Sequence, residues 1–288
     1  MLAIAKREFK SLFTTMTAPI FCAVMIAVTG IYFIAYNIGT GYQKFSYVLL
    51  SSLFIMMIIV PLLTMRSFSE ERRQKTDQLL LTAPVSLGDI VLGKFFAMCA
   101  VFAIPVLIFC ACPLIVRSFG EAKLAGDYAT LLVFFVIGCF YISVGAFISS
   151  LTESQVIAAV CSIGAMLLIY LWSGLVNMLP STASGTALVL LLVLTLLSLL
   201  LYASTKNWLL AGGIWLLGAL ALLAVWLVNS ELLAGRLSEW LGGFAVTTIM
   251  SNFGEYDLFD LQGLIKLLLA TGLMLFLTAQ SLQKRRWS

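Results

Sequence analysis

The sequence predicts an all-α, polytopic integral membrane protein with about eight transmembrane helices and both termini cytoplasmic. Hydrophobic residues make up 62% of the 288 residues and charged residues 10%, against roughly 45–50% and 25% in a soluble domain, so there is too little charge to cover a water-exposed surface. Long stretches carry no charge at all, among them 11–43, 95–116, 154–205 and 207–230, and about 20 apolar residues suffice for one crossing. Once these spans are placed, twelve of the 17 Lys and Arg residues fall on one side and five on the other, which is the bias that sets orientation in a membrane.

Taken in order, Lys6, Arg7 and Lys10 hold the amino terminus inside. Leu2, Ala5, Phe9 and Leu12 share one helical face, so residues 1–13 read as an amphipathic helix in the interface; a plain basic leader fits the same residues. The first span, 18–38, is too long for a signal-peptide core and has no small-x-small cleavage site before Asn37-Ile-Gly-Thr-Gly41, so it is expected to be retained. The second, 46–65, returns to the cytoplasm, where Arg66, Arg72, Arg73, Lys75 and Lys94 form the densest basic group in a loop over 66–94. The third, 95–116, leads out to Arg117, Glu121, Lys123 and Asp127, and the fourth, 128–150, comes back.

The turn Leu151-Thr-Glu-Ser-Gln155 starts a fifth span, which ends near Val176 at the breakers of 177–186. Lys206-Asn207 divides the next apolar stretch into 187–204 and 208–229, a hairpin with a cytoplasmic tip. A six-span version, with this hairpin tucked in without crossing, keeps the same orientation. Residues 230–262 form an outside segment with Glu231, Arg236, Glu239, Glu255, Asp257 and Asp260. The last span, 264–282, ends in the basic, aromatic anchor Lys284-Arg-Arg-Trp287. One transmembrane domain is expected over 1–288.

Much chemistry is excluded. There is no histidine, hence no imidazole base and no histidine metal ligand. Cys22, Cys99, Cys110, Cys112, Cys139 and Cys161 lie in or beside apolar runs, as reduced packing thiols do; Cys110 and Cys112 alone do not complete a soft-metal site. No catalytic, cofactor-binding or metal residue is expected. Absent charges at mid-membrane weaken an ion-coupled secondary transporter, although backbone carbonyls at broken helices can bind sodium. Gly88-Asp-Ile-Val-Leu-Gly93-Lys94 has the spacing of a phosphate-binding loop, but Phe95 stands where Ser or Thr must hold magnesium. Ser86-Leu-Gly-Asp89 instead reads as a capping box opening a helix.

The informative segment is 65–84. As a helix it pairs Glu71 with Lys75 and Glu70 with Arg73, while Phe68, Leu79, Leu80 and Leu81 set large apolar groups beside these charges. A solvated linker and a partner-docking element both fit.

Pro61-Leu-Leu-Thr-Met-Arg66, Glu70-Glu-Arg72, Thr76-Asp77, Leu79-Leu80, Pro84-Val-Ser86 and Leu92-Gly-Lys-Phe95 resemble the cytoplasmic loop of type-2 ABC exporter permeases, most closely the gliding-motility-associated and copper-assembly-like branch. Ser149-Ser-Leu-Thr-Glu-Ser-Gln155 resembles the family's second cytoplasmic turn, and Gly254-x-x-Asp-Leu-x-Asp-Leu261 the stretch before its last span. Two positions depart from the pattern: Lys75 replaces a glycine, and Asp77 stands for glutamate.

The resemblance implies a six-helix core with 187–229 inserted, 1–13 as an elbow helix, and a half-transporter working with a second permease chain, identical or related. Separate ATPase subunits would carry ATP and Mg, with no cofactor on this chain. ATPase contacts would fall on Arg66, Phe68, Glu70, Glu71, Arg72, Thr76, Asp77, Leu80 and Pro84, and on Thr152, Glu153, Ser154 and Gln155. The setting implied is the bacterial inner membrane, with lipid and an optional auxiliary extracytoplasmic subunit as further partners and no nucleic acid. Leu233, Leu237, Trp240 and Leu241, at helical spacing within 230–262, fit a re-entrant gate or a surface loop equally. A non-transporting anchor or mechanical transmitter is the main alternative function, and a secondary transporter the weaker one. The substrate is not legible; an apolar or amphipathic cargo suits charge-free spans best.

Overall fold

The computed structural model describes residues 1–74, 86–119, 123–180, 182–228 and 236–286, and every regular element among them is helical. Seven helices among the described residues are long and apolar enough to cross a membrane: 17–39, 46–73, 87–118, 124–151, 155–177, 183–203 and 261–284. The second arm of the expected hairpin, Trp208–Val228, is also a 21-residue helix, with several of its side chains outside the described set. The architecture is that of a polytopic all-α membrane protein. Its contacts divide into two compact units, 1–170 with 246–288, and 171–245.

In the first unit, α1 (Leu2–Thr14) lies against α5 (Leu87–Phe109). Gly93 makes that approach possible, because a Cβ there would sit 3.0 Å from Ile4 Cγ2. Met16, in the left-handed region at φ 61°, separates α1 from α2 (Thr17–Phe33). A π-helical turn, Ile34–Gly39, prolongs α2. Ser86 caps α5 as the capping box predicts: its hydroxyl accepts from Asp89 N at 3.1 Å and donates to Asp89 Oδ2 at 2.6 Å.

The central helix is α7 (Leu124–Leu151), which follows the short α6 (Cys112–Phe119) and packs against α3 (Ser46–Thr64), α5, α12 (Val246–Gly254) and α13 (Leu261–Arg286). Two glycines admit its neighbours. A Cβ on Gly138 would lie 2.0 Å from Phe102 Cε1, and one on Gly145 would lie 2.2 Å from Thr64 Oγ1. The Phe102 ring stacks on Phe135 at 5.8 Å and meets Phe21 edge-on. A Cβ on Gly164, by contrast, would meet nothing within 4 Å.

Helix α7 also anchors the backbone at both of its ends. Asp127 Oδ1 accepts from Phe45 N at 3.0 Å and from Ser46 N at 3.3 Å, satisfying donors at the start of α3. Ser149 does the same at the other end, for α4 (Ser69–Arg73). Thus α3 and α7 run parallel, and the 22 residues from Asp127 to Ser149 rise about 33 Å, close to the thickness of a hydrocarbon core.

In the second unit, Thr182 caps α9 (Ala183–Thr205), accepting from Gly185 N at 3.3 Å. Helix α10 (Trp208–Val228) packs against it, with Gly218 tight on Leu194. The turn falls where expected: Lys206 is left-handed at φ 52°, and Asn207 Oδ1 accepts from Leu209 N at 3.2 Å. Trp172 donates to the Leu241 carbonyl of α11 (Arg236–Gly242) at 2.8 Å.

Two expectations change. Lys94 was placed in the loop 66–94, but it stands two turns into α5 with 2% of its surface exposed. The helix begins at its Ser86 cap, well before the uncharged run that marks the span in sequence. Within 230–262, residues 246–254 form a helix that buries Val246, Ile249, Met250 and Phe253, which departs from the surface-loop alternative and leaves the re-entrant one open. Leu233 lies outside the described residues, and Trp240 is exposed.

Candidate functional site at the charged end of the bundle

Helix α4 is short, and its order is borrowed. Acidic Glu70 and Glu71 occupy its first turn and basic Arg72 and Arg73 its last, which complements the helix dipole. Its leading N–H groups are satisfied from another helix: Ser149 Oγ accepts from Phe68 N and Ser69 N, both at 3.2 Å, and donates to Met65 O at 3.1 Å. Ser69 Oγ also donates to Met65 O. The end of α3 is therefore bound to the end of α7.

Lys94 joins its own helix to two others. Its ammonium donates to Ser67 O at 2.7 Å, lies 2.7 Å from Glu71 and 3.6 Å from Glu8, and sits 5.1 Å above the Phe68 ring. Helices α1, α4 and α5 thus meet on one buried cation. That burial is tolerable because two carboxylates, a carbonyl and an aromatic face replace its water. Arg7 closes the cluster, 2.8 Å from Glu8 and 3.8 Å from Glu71. Its hydrogen bond to Glu8 holds the guanidinium pKa further above its usual range, with Glu71 adding to the effect.

On the opposite flank, Arg72 donates to Leu151 O at 2.8 Å and pairs with Glu153 at 3.0 Å, tying α4 to the turn after α7. Ser154 Oγ accepts from Ile157 N at 3.5 Å at the start of α8 (Gln155–Asn177), and Gln155 is that helix's first residue. Two polar atoms here are buried without a hydrogen-bond partner, Arg66 Nε and Thr152 Oγ1.

Of the residues singled out in sequence, Arg72 and Glu153 meet directly; Arg66, Phe68, Glu70 and Glu71 lie at or beside α4 with Arg72, and Thr152, Ser154 and Gln155 lie beside Glu153 in the turn that opens α8. Thr76, Asp77, Leu80 and Pro84 lie outside the described residues, as does Lys75, the expected partner of Glu71. The expected Glu70–Arg73 pair does not form among the described residues; Glu70 accepts from Gln74 at 3.4 Å instead. Phe68 is 5% exposed and belongs to the core, so its ring faces inward rather than toward a partner. Sequence reasoning missed Glu8, carried Ser149 only as part of a turn motif, and gave Lys94 a place in the basic loop and in the Leu92-Gly-Lys-Phe95 motif but no part in the site. A lysine just after a capping box, within a run of Ile, Val, Leu and Phe, is the signal that marks it as buried.

The other end of the bundle carries its own polar group. Asp257 lies 3.1 Å from Lys44 and 3.0 Å from Lys123, and Lys44 also donates to Glu255 O at 3.1 Å. The hydrogen bond from Lys123, with that from Lys44, holds the Asp257 pKa below the usual carboxylate range. Among the described residues no group of three or more His, Cys, Asp or Glu is arranged to hold a metal, and all six cysteines are free thiols.

Comparison with curated proteins finds no match. Comparison with protein families matches residues 2–232 to the ABC-2 family transporter proteins, a stretch that contains both the capped α3–α7 pair and the charged end. The chain belongs to the ABC-2 transporter family, and is thereby a membrane component of an ATP-binding cassette transporter.

Proposed function

We propose that the chain is the permease subunit of an ATP-driven exporter, paired with a second permease chain and worked by separate ATPase subunits that bind ATP and Mg. The observation that carries this reading is the construction of the charged end. A short helix presents Glu70 and the Arg72–Glu153 pair outward, while its inner face is tied to α7 through Ser149 and to α5 and α1 through Lys94. Force applied to α4 therefore reaches three helices through hydrogen bonds and ion pairs instead of being lost in a loose loop.

The ATPase contacts in this reading are Arg66, Glu70, Arg72, Glu153, Ser154 and Gln155, continued by Thr76, Asp77, Leu80 and Pro84. Glu71 and Phe68 transmit from the inner side. The charged end faces the cytoplasm because Lys and Arg concentrate there, and the membrane is the bacterial inner membrane. The motifs from Pro61 to Phe95 support the gliding-motility and copper-assembly-like branch within the family.

Co-purification with an ATPase and ATP-dependent efflux from reconstituted vesicles test the proposal. Charge reversal at Glu153 is expected to weaken ATPase binding, and Glu71→Ala to leave ATP hydrolysis running without transport. Unchanged coupling in both variants defeats the assignment of this site. The continuous connection along α7, which holds the start of α3 at one end and α4 at the other, also suits a mechanical transmitter; ATPase binding without efflux of any cargo would favour that reading. Efflux driven by an ion gradient without an ATPase would favour a secondary transporter.

A further inference from the structure

At the end opposite the charged cluster, a cleft of about 490 Å³ opens between the start of α7 and the segment joining α12 to α13. Its walls are Leu124, Ala125, Ala129, Phe253, Leu258 and Phe259, and Lys123, Gly126 and Asp257 complete it. The volume falls within the range of small-molecule sites, and a mostly apolar lining with a few convergent polar groups is their usual composition. Phe253 and Phe259 meet edge-to-face at 5.2 Å, giving one wall a fixed shape. Gly126 forms part of the floor and lets Asp257 approach it closely, since a Cβ there would lie 3.0 Å from Asp257 Oδ1.

The charge at this cleft favours an anion. Lys44 and Lys123 share the single carboxylate of Asp257. Lys123 has a 74% exposed side chain and three donors, of which Asp257 takes one. An incoming anionic oxygen can be bound by Lys123 while Lys44 keeps Asp257 neutralised, so no charge is left unpaired at either stage. Lys123 also stands at the N-cap position of α7, where no side chain caps the helix, and the positive end of the helix dipole adds to the preference. Asp127 and Glu255, described carboxylates near this end, do not line the cleft; Asp127 is turned to Phe45 N and Ser46 N.

We propose that this cleft binds an amphiphile with an anionic oxygen head group, the head on Lys123 and the apolar segment against Phe253, Leu258 and Phe259. The proposal rests on the exporter reading only in making the ligand a cargo; binding itself needs no ATPase.

The test is titration of dodecyl phosphate into the full chain in phosphatidylcholine nanodiscs, with partitioning into empty nanodiscs subtracted. Dodecanol and dodecyltrimethylammonium serve as neutral and cationic comparisons. Dodecyl phosphate is expected to saturate, Lys123→Gln to weaken it about tenfold while leaving dodecanol unchanged, and Gly126→Val to weaken both by filling the floor. Lys123→Gln keeps the proposal testable if Gly126→Val does not fold, because Lys44 still holds Asp257. Repeating the titration with phosphatidylglycerol in the nanodisc assigns the source within the proposal: competition identifies a bilayer head group, and unchanged affinity a free amphiphile. Equal affinity of wild type and Lys123→Gln for dodecyl phosphate, or equal binding of the cationic probe, overturns it. Since no ATPase is present, failure here leaves the coupling reading standing, and lost coupling in Glu71→Ala leaves this binding intact.

Discussion

Lys94 and Glu71 lie 2.7 Å apart, the lysine side chain 2% exposed and the glutamate 20%. This contact joins α5 to α4 at the point where α1 also arrives, through Glu8 at 3.6 Å. Its two charges have exchanged water for each other, so neither can be removed without consequence for the one that remains.

Glu71→Ala is therefore expected to lower stability by about 2–3 kcal/mol, somewhat less than a fully buried pair loses because Glu8 still faces the ammonium. A double-mutant cycle of Glu71→Ala with Glu8→Ala, read by thermal unfolding in detergent, should be non-additive, since both carboxylates serve one lysine. Strict additivity would show that Glu8 is not a real partner.

Ser149→Ala removes the hydroxyl that receives Phe68 N and Ser69 N. A loss of about 1 kcal/mol is expected, as for other helix caps. Hydrogen exchange should quicken at those two amides first, while the core of α7 stays protected. Unchanged exchange at Phe68 and Ser69 would remove Ser149 from the site.

Gly145→Ala places a methyl group where Thr64 Oγ1 stands, and Thr64 is itself held by its bond to Val60 O at 3.2 Å. Destabilisation of about 1–3 kcal/mol is expected from the forced separation of α3 and α7. Gly164→Ala, with open space around it, should stay within about 0.5 kcal/mol of wild type. Melting temperatures of the two variants decide whether helix packing separates these glycines.

Asp257 supplies a pH dependence at the other end. Its pKa is lowered in the folded protein by Lys123 and Lys44, so between the folded and unfolded values the unfolded chain binds more protons. The stabilisation is present above the ordinary carboxylate pKa of about 4 and is lost as pH falls through the lower, folded value. Acidification should release residues 255–260, seen as faster exchange, and Asp257→Asn should abolish that step. An identical acid profile in the variant would assign the step elsewhere.

Much of the bundle is legible before any coordinates. Periods of uncharged, apolar residues mark where the spans lie, because a bilayer requires continuous apolar length and internally satisfied backbone. Ser86 with Asp89, and Lys206 with Asn207, announce a helix start and a turn through chemistry local to a few residues. The motifs from Pro61 to Phe95 point to the family to which the chain belongs.

Local pattern does not say which polar residues meet. Glu8, Glu71 and Lys94 are separated by 63 and 23 positions, and Asp127 reaches Phe45 across 82. The segment 230–262 reads in sequence as a gate or a surface loop alike, yet residues 246–254 pack as a helix against α3 and α7 and bury Val246, Ile249, Met250 and Phe253. Sequence alone determined that this chain lives in a membrane, where its helices start and turn, and that one loop concentrates its charge. Only the tertiary structure decided that Lys94 leaves that loop for the core and that Ser149 and Asp127 hold the two ends of α3, because a buried charge or an unpaired N–H takes the partner that packing brings within reach, however distant in the chain.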